Sequence, residues 1–435
     1  MKSKMHFLFF PVIAGIGILL YATLTASKPK RTIQPEKGCV FMTVMGEQSS
    51  NGFNRYKSDE NTQLAVRDGL DWLSKAQLPN GGYGAGSHAA QHVRDPHAVK
   101  ADPATTAMVG MALLRSGTTL NRGIHADNLK KAMYFLLETI ESNKADGKYI
   151  TEVRNTQIQT KLGQNIDAVL AAQFLSNLLE RDLEGMDRKR VVRCLDVCIG
   201  RIEEGTDENG RQRGAGWAGV LQSGMANSAL ESAQAAGVQV DKEVLEKSKK
   251  YQKDNYNEED GSVKTDDGAG IMLYSVSGSV RASAKEARKV RADVNKAKAE
   301  GKIAEDAEIN AETLSEIGYA EGEAQKYGTA YKVYESAKEV AQKDEVLSGF
   351  GNNGGEEFLS YLQTGESLLV SKDEDWKNWY DNMSGRILKI QNEDGSWNGH
   401  HCITSPVFCT ATSLLLLTVE EDIEFLQKIG EEESK

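Results

Sequence analysis

The sequence predicts an all-α protein made of about six consecutive helical hairpins. Three observations support this prediction: Asn-Gly or Asp-Gly turns recur along the chain, a segment with helical hydrophobic periodicity precedes most of them, and an apolar segment rich in small residues follows each. Strand-like alternation of apolar and polar residues is nearly absent. Because each hairpin has an apolar face that only its neighbours can cover, a repeat architecture is expected.

The turns share a physical signature. Glycine adopts positive φ freely, and the preceding Asn or Asp side chain bonds its own backbone. The interval before the last turn is about twice the others, so a degenerate unit is expected inside it, around Asn353-Gly354. The five clear turns are Asn80-Gly81, Asp146-Gly147, Asn209-Gly210, Asp260-Gly261 and Asp394-Gly395.

Helix-start signals help to place the hairpins. Asp102-Pro103 and Ser405-Pro406 each combine an N-cap residue with proline at the first helical position. A Lys/Glu/Ala-rich insertion at about 285–310 is predicted to be a solvated helical excursion, and 431–435 to be an acidic tail. The hairpins are expected at about 60–120, 128–182, 188–237, 243–285, 310–372 and 375–430.

The first 31 residues have the composition of a targeting segment, followed by a linker over 32–59. Lys2 and Lys4 precede an apolar run from Phe7 to Leu24. This run is long enough for either a signal peptide or a single membrane anchor, and the sequence leaves both open. We therefore expect an exported, extracytoplasmic protein, secreted or tethered, that contacts the membrane only through this segment.

The overall composition excludes one class of partner. The 435 residues are 40% hydrophobic and 26% charged, which is ordinary for a globular protein. A net charge of -11 repels phosphate backbones, so no nucleic-acid partner is expected. Five cysteines are too few for a disulfide framework. Cys194 and Cys198 are expected in the core, whereas Cys402 and Cys409 are either a small disulfide or two buried thiols.

A Gln-x3-Gly-x-aromatic pattern runs from Gln391 to Trp397 and is echoed from Gln77 to Tyr83. It resembles the QW-type repeats of the prenyltransferase and squalene-cyclase superfamily. The resemblance implies an α/α toroid over residues 60–430, with the Gln amide and the aromatic ring tying an outer helix to the next inner helix. The stretches "GFGNNGGEEFLSYL" and "DGSWNGHHCITSPVFCTATSLLLL" are most similar to exported bacterial toroid proteins of unassigned activity.

The sequence matches two catalytic signatures of this superfamily only in part. Class II terpene cyclases protonate their substrate with an Asp-x-Asp-Asp motif. The string "KTDD" places Asp266 at the position of the acid, but Lys264 replaces the first carboxylate. Asp266 is thus the candidate catalytic residue of a divergent isoprenoid cyclase. The Asp-x-Cys zinc signature of protein prenyltransferases is matched only by Asp196-Val197-Cys198, where Cys198 is expected in the core.

Five of the seven histidines lie in two loops, one in the first hairpin and one in the last. In a closed ring these hairpins are neighbours, so we expect the two loops to meet at one rim. Imidazole and thiolate together suit zinc, which makes His400, His401 and Cys402 candidate metal ligands. A metal-free polar site and ordinary surface histidines are the alternatives. The candidate ligand-binding residues are His88, His92, His97, His400, His401, Cys402, Glu356 and Tyr361.

The sequence favours a toroid that binds a ligand at the rim of its central cavity. A small hydrophobic or anionic ligand is expected, because six inner-helix N-termini would face one rim. The alternatives are a divergent isoprenoid cyclase, a carbohydrate-active enzyme with paired acids, and a structural or interaction module without catalysis. A ring filled by its own side chains would argue against both enzymes.

Overall fold

The structure, a computed structural model, describes residues 58–143, 149–181, 183 and 185–430. Every regular element within these ranges is helical, apart from isolated β-bridges in the loops. In chain order the α-helices are α1 (Glu60–Ala76), α2 (Pro103–Arg115), α3 (Ala126–Ser142), α4 (Gln157–Lys161), α5 (Ile166–Leu179), α6 (Gly185–Gly205), α7 (Gly219–Ala235), α8 (Lys242–Lys253), α9 (Met272–Ala299), α10 (Ala311–Glu316), α11 (Glu321–Ala341), α12 (Asp344–Leu347), α13 (Gly355–Val370), α14 (Trp376–Leu388), α15 (Pro406–Leu417) and α16 (Ile423–Ile429).

Six of these helices form a closed inner ring. Each of α2, α5, α7, α9, α13 and α15 packs against the next, and α15 packs against α2 to close the circle. The amphipathic helices α1, α3, α6, α8, α11 and α14 pack outside them. The predicted α/α toroid of six hairpins is therefore confirmed. We call the end of the ring at which the inner helices begin the N-terminal rim, and the opposite end the C-terminal rim.

The predicted glycine turns have the backbone conformation that their sequence requires. Gly81, Gly210, Gly261 and Gly395 have φ of 84°, 87°, 72° and 89°. The Asp146-Gly147 turn lies outside the described residues. The predicted degenerate turn at Gly354 is wrong, because Gly354 is extended, with φ of -140°, and is the N-cap of α13. Positive φ occurs instead earlier in this loop, at Gly349 and Gly351.

The glutamine of the repeat ties each turn to the next outer helix. Gln77 Nε2 donates to the carbonyls of Gly81, at 2.8 Å, and Asn128 in α3, at 2.9 Å. Gln391 Nε2 donates to Gly395, at 2.9 Å, and to Ala65 in α1, at 3.0 Å. The resemblance implied that the amide ties an outer helix to the next inner helix. It instead bonds the next outer helix, because the end of one outer helix lies beside the start of the next.

The aromatic residue makes the connection to the inner ring. The backbone N–H groups of Tyr83 and Trp397 donate to Thr106 in α2, at 2.9 Å, and to Thr410 in α15, at 2.8 Å. Both aromatic side chains are fully buried. Each hairpin with this motif is therefore fixed to its own inner helix by the aromatic residue and to its neighbour by the glutamine.

The Lys/Glu/Ala-rich insertion is helical but is not simply solvated. It continues α9 to Ala299, and one face of this extension packs against α10 and α11. Val290 and Val294 are fully buried there, in a small core with Leu314 and Ala324. Valines at i and i+4 supply the apolar stripe that the lysines and glutamates obscure in the sequence.

The centre of the described ring is filled by side chains. Every residue of α2, α5, α13 and α15 is buried. Gln363 Nε2 of α13 donates to Met225 Sδ of α7 at 3.3 Å, although these two helices are not neighbours in the ring. A Cβ atom on Gly110 would lie 2.5 Å from the Phe174 ring. The inner helices therefore pack on one another across the axis.

The predicted caps and core cysteines are present. Asp102 and Ser405 accept hydrogen bonds from the backbone of the helices that they begin. Cys194 and Cys198 are buried in α6, and Cys402 and Cys409 are unpaired thiols. None of the helices described is long and apolar enough to cross a membrane. The targeting segment, the linker up to residue 57, Cys39 and the acidic tail lie outside the described residues.

Candidate ligand-binding rim

The histidine-bearing loops of the first and last hairpins meet at the N-terminal rim, as expected from ring closure. Gln91 Nε2 donates to the Cys402 carbonyl, and Arg94 Nη1 donates to the Thr404 carbonyl. Thr404 Oγ1 donates back to the Gln91 carbonyl at 2.7 Å. The seam of the ring is thus closed by side-chain to backbone hydrogen bonds.

The structure does not gather the predicted metal ligands into one group. His92, His97 and His400 are exposed. His88 is half-buried beside Lys161, and its pKa is lowered, first by burial and then by the Lys161 charge. Within the described ranges, no three His, Cys, Asp or Glu side chains are placed to hold a metal ion. The zinc hypothesis for His400, His401 and Cys402 therefore gains no support from the geometry.

A different set of residues converges at this rim. They come from the first turns of the inner helices α9 and α13 and from the segments that precede α5, α7, α13 and α15. Their side chains are close enough for the charges of Lys161, Glu356 and Glu357 to shift the pKa of the Cys402 thiol. We call this set the rim cluster, which consists of Lys161, Trp217, Tyr274, Phe350, Glu356, Glu357, His401 and Cys402.

Glu357 anchors the cluster through several hydrogen bonds. Its carboxylate accepts from the backbone N–H of Gly354, at 2.9 Å, and of Phe350, at 3.2 Å. It also accepts from the Tyr274 hydroxyl at 2.5 Å, and His401 Nε2 lies 3.4 Å from Oε2. Because both of its carboxylate oxygens accept hydrogen bonds, Glu357 holds the loop before α13 in place.

His401 is held between a carboxylate and an aromatic ring. Its imidazole stacks on Phe350, with ring centres 4.8 Å apart and an interplanar angle of 18°. Burial lowers the pKa of His401, but the hydrogen bond and charge of Glu357 more than offset this effect, so the pKa is raised. His401 thus lies beside a carboxylate and against an aromatic ring, and among the described residues it is not part of a group of metal ligands.

Glu356 is the titratable group of the cluster. Glu356 is 1% exposed, and its Oε2 accepts a hydrogen bond from the Ile403 N–H at 3.2 Å. Burial, together with the charge of Glu357, raises the pKa of Glu356 to about 7. Near neutral pH this carboxyl group exists in both protonation states, so it is able to donate or to accept a hydrogen bond.

Cys402 has an unusual backbone conformation, but its thiol does not have the lowered pKa of a nucleophile. Its backbone has φ of 53°, a left-handed conformation that is uncommon outside glycine. Burial and the Glu356 charge raise the pKa of its thiol to about 11, although Lys161 opposes the shift. The thiol therefore stays protonated at neutral pH, and the nucleophilic thiolate is not populated.

Lys161 and Trp217 form the outer side of the cluster. Lys161 Nζ lies 4.6 Å from the centre of the Trp217 ring, and Trp217 is 67% exposed. A cavity of about 220 Å³ adjoins them, lined among others by Tyr149, Arg154 and Gly216. The Arg154 guanidinium covers the Tyr149 ring at 3.6 Å. This part of the rim thus presents aromatic faces and cations to the solvent.

Two further carboxyl groups occupy inner-helix N-termini. Asp102 accepts from the N–H groups of Thr105 and Ala85, both at 2.8 Å, and Asp167 accepts from Ala104 at 3.1 Å. Burial raises the pKa of Asp102 to about 6 and, with the charge of Asp102, that of Asp167 to about 7. With Glu356, three of the six inner helices begin at a buried carboxyl group.

Two predicted site residues lie outside the rim cluster. The Tyr361 side chain is buried, and its hydroxyl donates to the Leu347 carbonyl at 2.6 Å, so it braces the loop before α13. Asp266 is exposed on a short 3-10 turn beside a surface cavity of about 370 Å³. Its lining contains Lys247, Lys264 and a single aromatic residue, Tyr251. This cavity therefore lacks the aromatic lining that stabilises a carbocation.

Sequence reasoning missed Lys161, Trp217 and Asp167. Asp167 had a usable signal, because it stands in the first turn of an apolar inner helix, where a carboxylate favours the positive end of the helix. Lys161 ends α4 inside the second hairpin, Trp217 lies in the loop between α6 and α7 inside the third, and no local pattern predicts that they meet.

No family model matches the sequence, and no characterised protein matches it. Two solved structures of glycosidases with glutamate-to-alanine substitutions, one in complex with glucose, have a similar arrangement of the chain. Each has a TM-score of 0.44 and 10% sequence identity, over 84% of this chain and 99% of the glycosidase chain. Similarity at this level assigns neither a family nor an activity.

Proposed function

We propose that the protein binds a hydroxyl-rich ligand, a sugar or a short glycan, at the rim cluster. The observation that carries this proposal is Glu356, a buried carboxyl group with a pKa of about 7, in a cluster whose outer parts are the exposed rings of Trp217 and Phe350. A sugar offers hydroxyl groups that both donate and accept, and apolar C–H faces that pack on aromatic rings. The rim cluster supplies a partner for each.

The alternatives expected from the sequence have less support. A hydrophobic ligand inside the ring lacks space, because side chains meet across the axis. The N-termini of three inner helices are not available to an anion, because the protein's own carboxyl groups Asp102, Asp167 and Glu356 lie there. The filled ring also argues against a deep active site, so we propose binding rather than catalysis.

We also propose that this binding takes place outside the cytoplasm, with the toroid secreted or tethered by its N-terminal segment. This proposal rests on Lys2, Lys4 and the apolar run from Phe7 to Leu24. Protease treatment of intact cells and of spheroplasts, followed by detection of the toroid, tests it. Protection in both preparations would contradict export.

Screening the full chain against a panel of neutral and acidic glycans tests the ligand class. Binding is expected to depend on pH around 7 in the wild type, because the protonation of Glu356 changes its hydrogen bonding. Glu356→Gln is expected to bind with little pH dependence, since its amide both donates and accepts at every pH. A wild-type protein that binds no glycan, or a Gln variant with the same pH dependence, would reject the proposal.

A further inference from the structure

Lys161 differs from the other buried lysines of the structure. Lys161 is 7% exposed, as buried as Lys249 and Lys338. Lys249 Nζ lies 3.3 Å from Glu231, and Lys338 Nζ lies 2.9 Å from Asp373. Among the described residues, no carboxylate oxygen lies within ion-pair distance of Lys161. It is therefore a buried ammonium group without a protein counterion in the part of the chain described.

The contacts that Lys161 does make do not neutralise it. Its ammonium lies 4.6 Å from the centre of the Trp217 ring, and the Cys402 thiol, which stays protonated, is near enough for the Lys161 charge to affect its pKa. A cation–π contact stabilises a buried charge only partly. Burying a charge is costly unless it is paired, so the site is incomplete without an anion. Thr160 and Gly216, the chain neighbours of Lys161 and Trp217, line a cavity of about 220 Å³ beside this pair.

The neighbouring carboxyl groups limit the charge of this anion. Glu356 and Glu357 act on the same Cys402 thiol as Lys161 does, so all three charges share one region. A phosphate group carries about -1.5 to -2 charges at pH 7 and would be repelled more strongly than a single negative charge. One lysine beside two carboxyl groups thus favours a monoanion.

We infer that the hydroxyl-rich ligand carries one monoanionic group, a carboxylate or a sulfate ester, that forms an ion pair with Lys161. This inference rests on the proposed function. It assigns Lys161 as the residue that selects acidic sugars over neutral ones, while the exposed ring of Trp217 contacts the sugar itself. Lys161 thereby determines specificity at a site whose remaining contacts suit any sugar.

Four ligands with one sugar ring separate these roles: glucose, glucuronate, glucose 6-sulfate and glucose 6-phosphate. Binding to the full chain is measured by NMR titration at pH 7. We expect glucuronate and glucose 6-sulfate to bind roughly tenfold to a hundredfold more tightly than glucose, because a hydrogen bond to a charged group contributes that much. Glucose 6-phosphate is expected to bind more weakly than the two monoanions.

Variants at Lys161 complete the experiment. Lys161→Met is expected to remove the preference for the monoanions, and Lys161→Arg to keep most of it. Lys247→Met serves as the matched control, since Lys247 is exposed and pairs with Glu243 at 2.7 Å. Equal affinity of the wild type for glucose and glucuronate, tightest binding of the phosphate, or an unchanged preference in Lys161→Met would overturn the inference and leave the proposed function standing. Absence of binding for all four ligands would overturn both.

Discussion

The two rims of the ring bury carboxyl groups with different partners. At the C-terminal rim, Arg115 lies 2.6 Å from Glu366 and 3.3 Å from Asp422, and Arg181 also pairs with Asp422. At the N-terminal rim, Glu356 has no Arg or Lys within ion-pair distance among the described residues, and backbone N–H groups are its main partners. A buried carboxylate needs a cation or must take up a proton. The Arg115 cluster is therefore held by charge pairs, whereas Glu356 at the other rim titrates near neutral pH. Beside the Arg115 cluster, burial also raises the pKa of Glu420 to about 8 and that of Glu421 to about 7, so titrating carboxyl groups occur at both rims.

The largest expected effect comes from breaking the Arg115 cluster. Arg115→Met leaves Glu366 and Asp422 without their shared cation, and Asp422 lies directly before α16, the last helix of the described chain. We expect a loss of about 3–5 kcal/mol in the free energy of unfolding, as for other buried ion pairs that lose one partner. Urea unfolding of the purified protein measures it.

An exposed ion pair provides the control for this experiment. Lys250 pairs with Asp254 on the surface of α8, and Lys250→Met is expected to change stability by less than about 1 kcal/mol. Similar losses in the two variants would show that the C-terminal rim owes no special stability to its buried charges.

The second effect concerns pH and belongs to Glu356 at the N-terminal rim. The pKa of Glu356 is about 7 in the folded state, above its usual value of 4.5, so the folded protein binds more protons between these values. Stability therefore falls as the pH rises through this window, and the raised pKa values of Asp102, Asp167 and His401 act in the same direction. We expect the free energy of unfolding to be roughly 1–3 kcal/mol lower at pH 8 than at pH 5 on account of Glu356.

Thermal unfolding at several pH values checks this prediction, with Glu356→Gln as the comparison. The Gln variant is expected to lose part of the decline between pH 5 and pH 8. Carboxylates with lowered pKa values, such as Glu231 and Asp373, lose their stabilising effect only below about pH 4.5 and do not interfere. Parallel pH profiles for wild type and Glu356→Gln would contradict the assignment.

A smaller effect is expected where the ring closes. Gln391 bonds α1 across the seam, and Gln77 makes the equivalent bonds between adjacent hairpins. Each glutamine replaced by alanine is expected to cost about 1 kcal/mol, the usual net contribution of a neutral hydrogen bond. Equal losses in urea unfolding would show that the seam is an ordinary joint of the repeat. A much larger loss for Gln391→Ala would show that closure itself is critical.

The fold was more predictable from the sequence than the site. Glycine turns, caps and apolar stripes are local features, and together they predicted the six hairpins. The resemblance to a toroid supplied the ring closure, from which the meeting of the two histidine loops was expected. The pairing of Lys161 with Trp217 and Cys402 is different, because it depends on how three separate loops pack. Likewise, Glu356 was a candidate by its position, but its pKa follows from complete burial beside Glu357, which no local pattern shows. The five loop histidines were predicted as site residues from their residue type, yet three of them are exposed.

Trp217→Ala has the smallest expected effect on stability, so it separates a role in ligand binding from a role in folding most clearly. Trp217 is 67% exposed, so Trp217→Ala is expected to change the free energy of unfolding by less than about 0.5 kcal/mol. If its ring is a surface for a sugar, the same variant should bind glucuronate roughly threefold to tenfold more weakly, as expected for the loss of one aromatic contact. Trp397→Ala is the opposite case, since the Trp397 side chain is fully buried and its loss is expected to destabilise the toroid. A Trp217→Ala protein with unchanged stability and unchanged affinity would show that ligand binding does not use this rim.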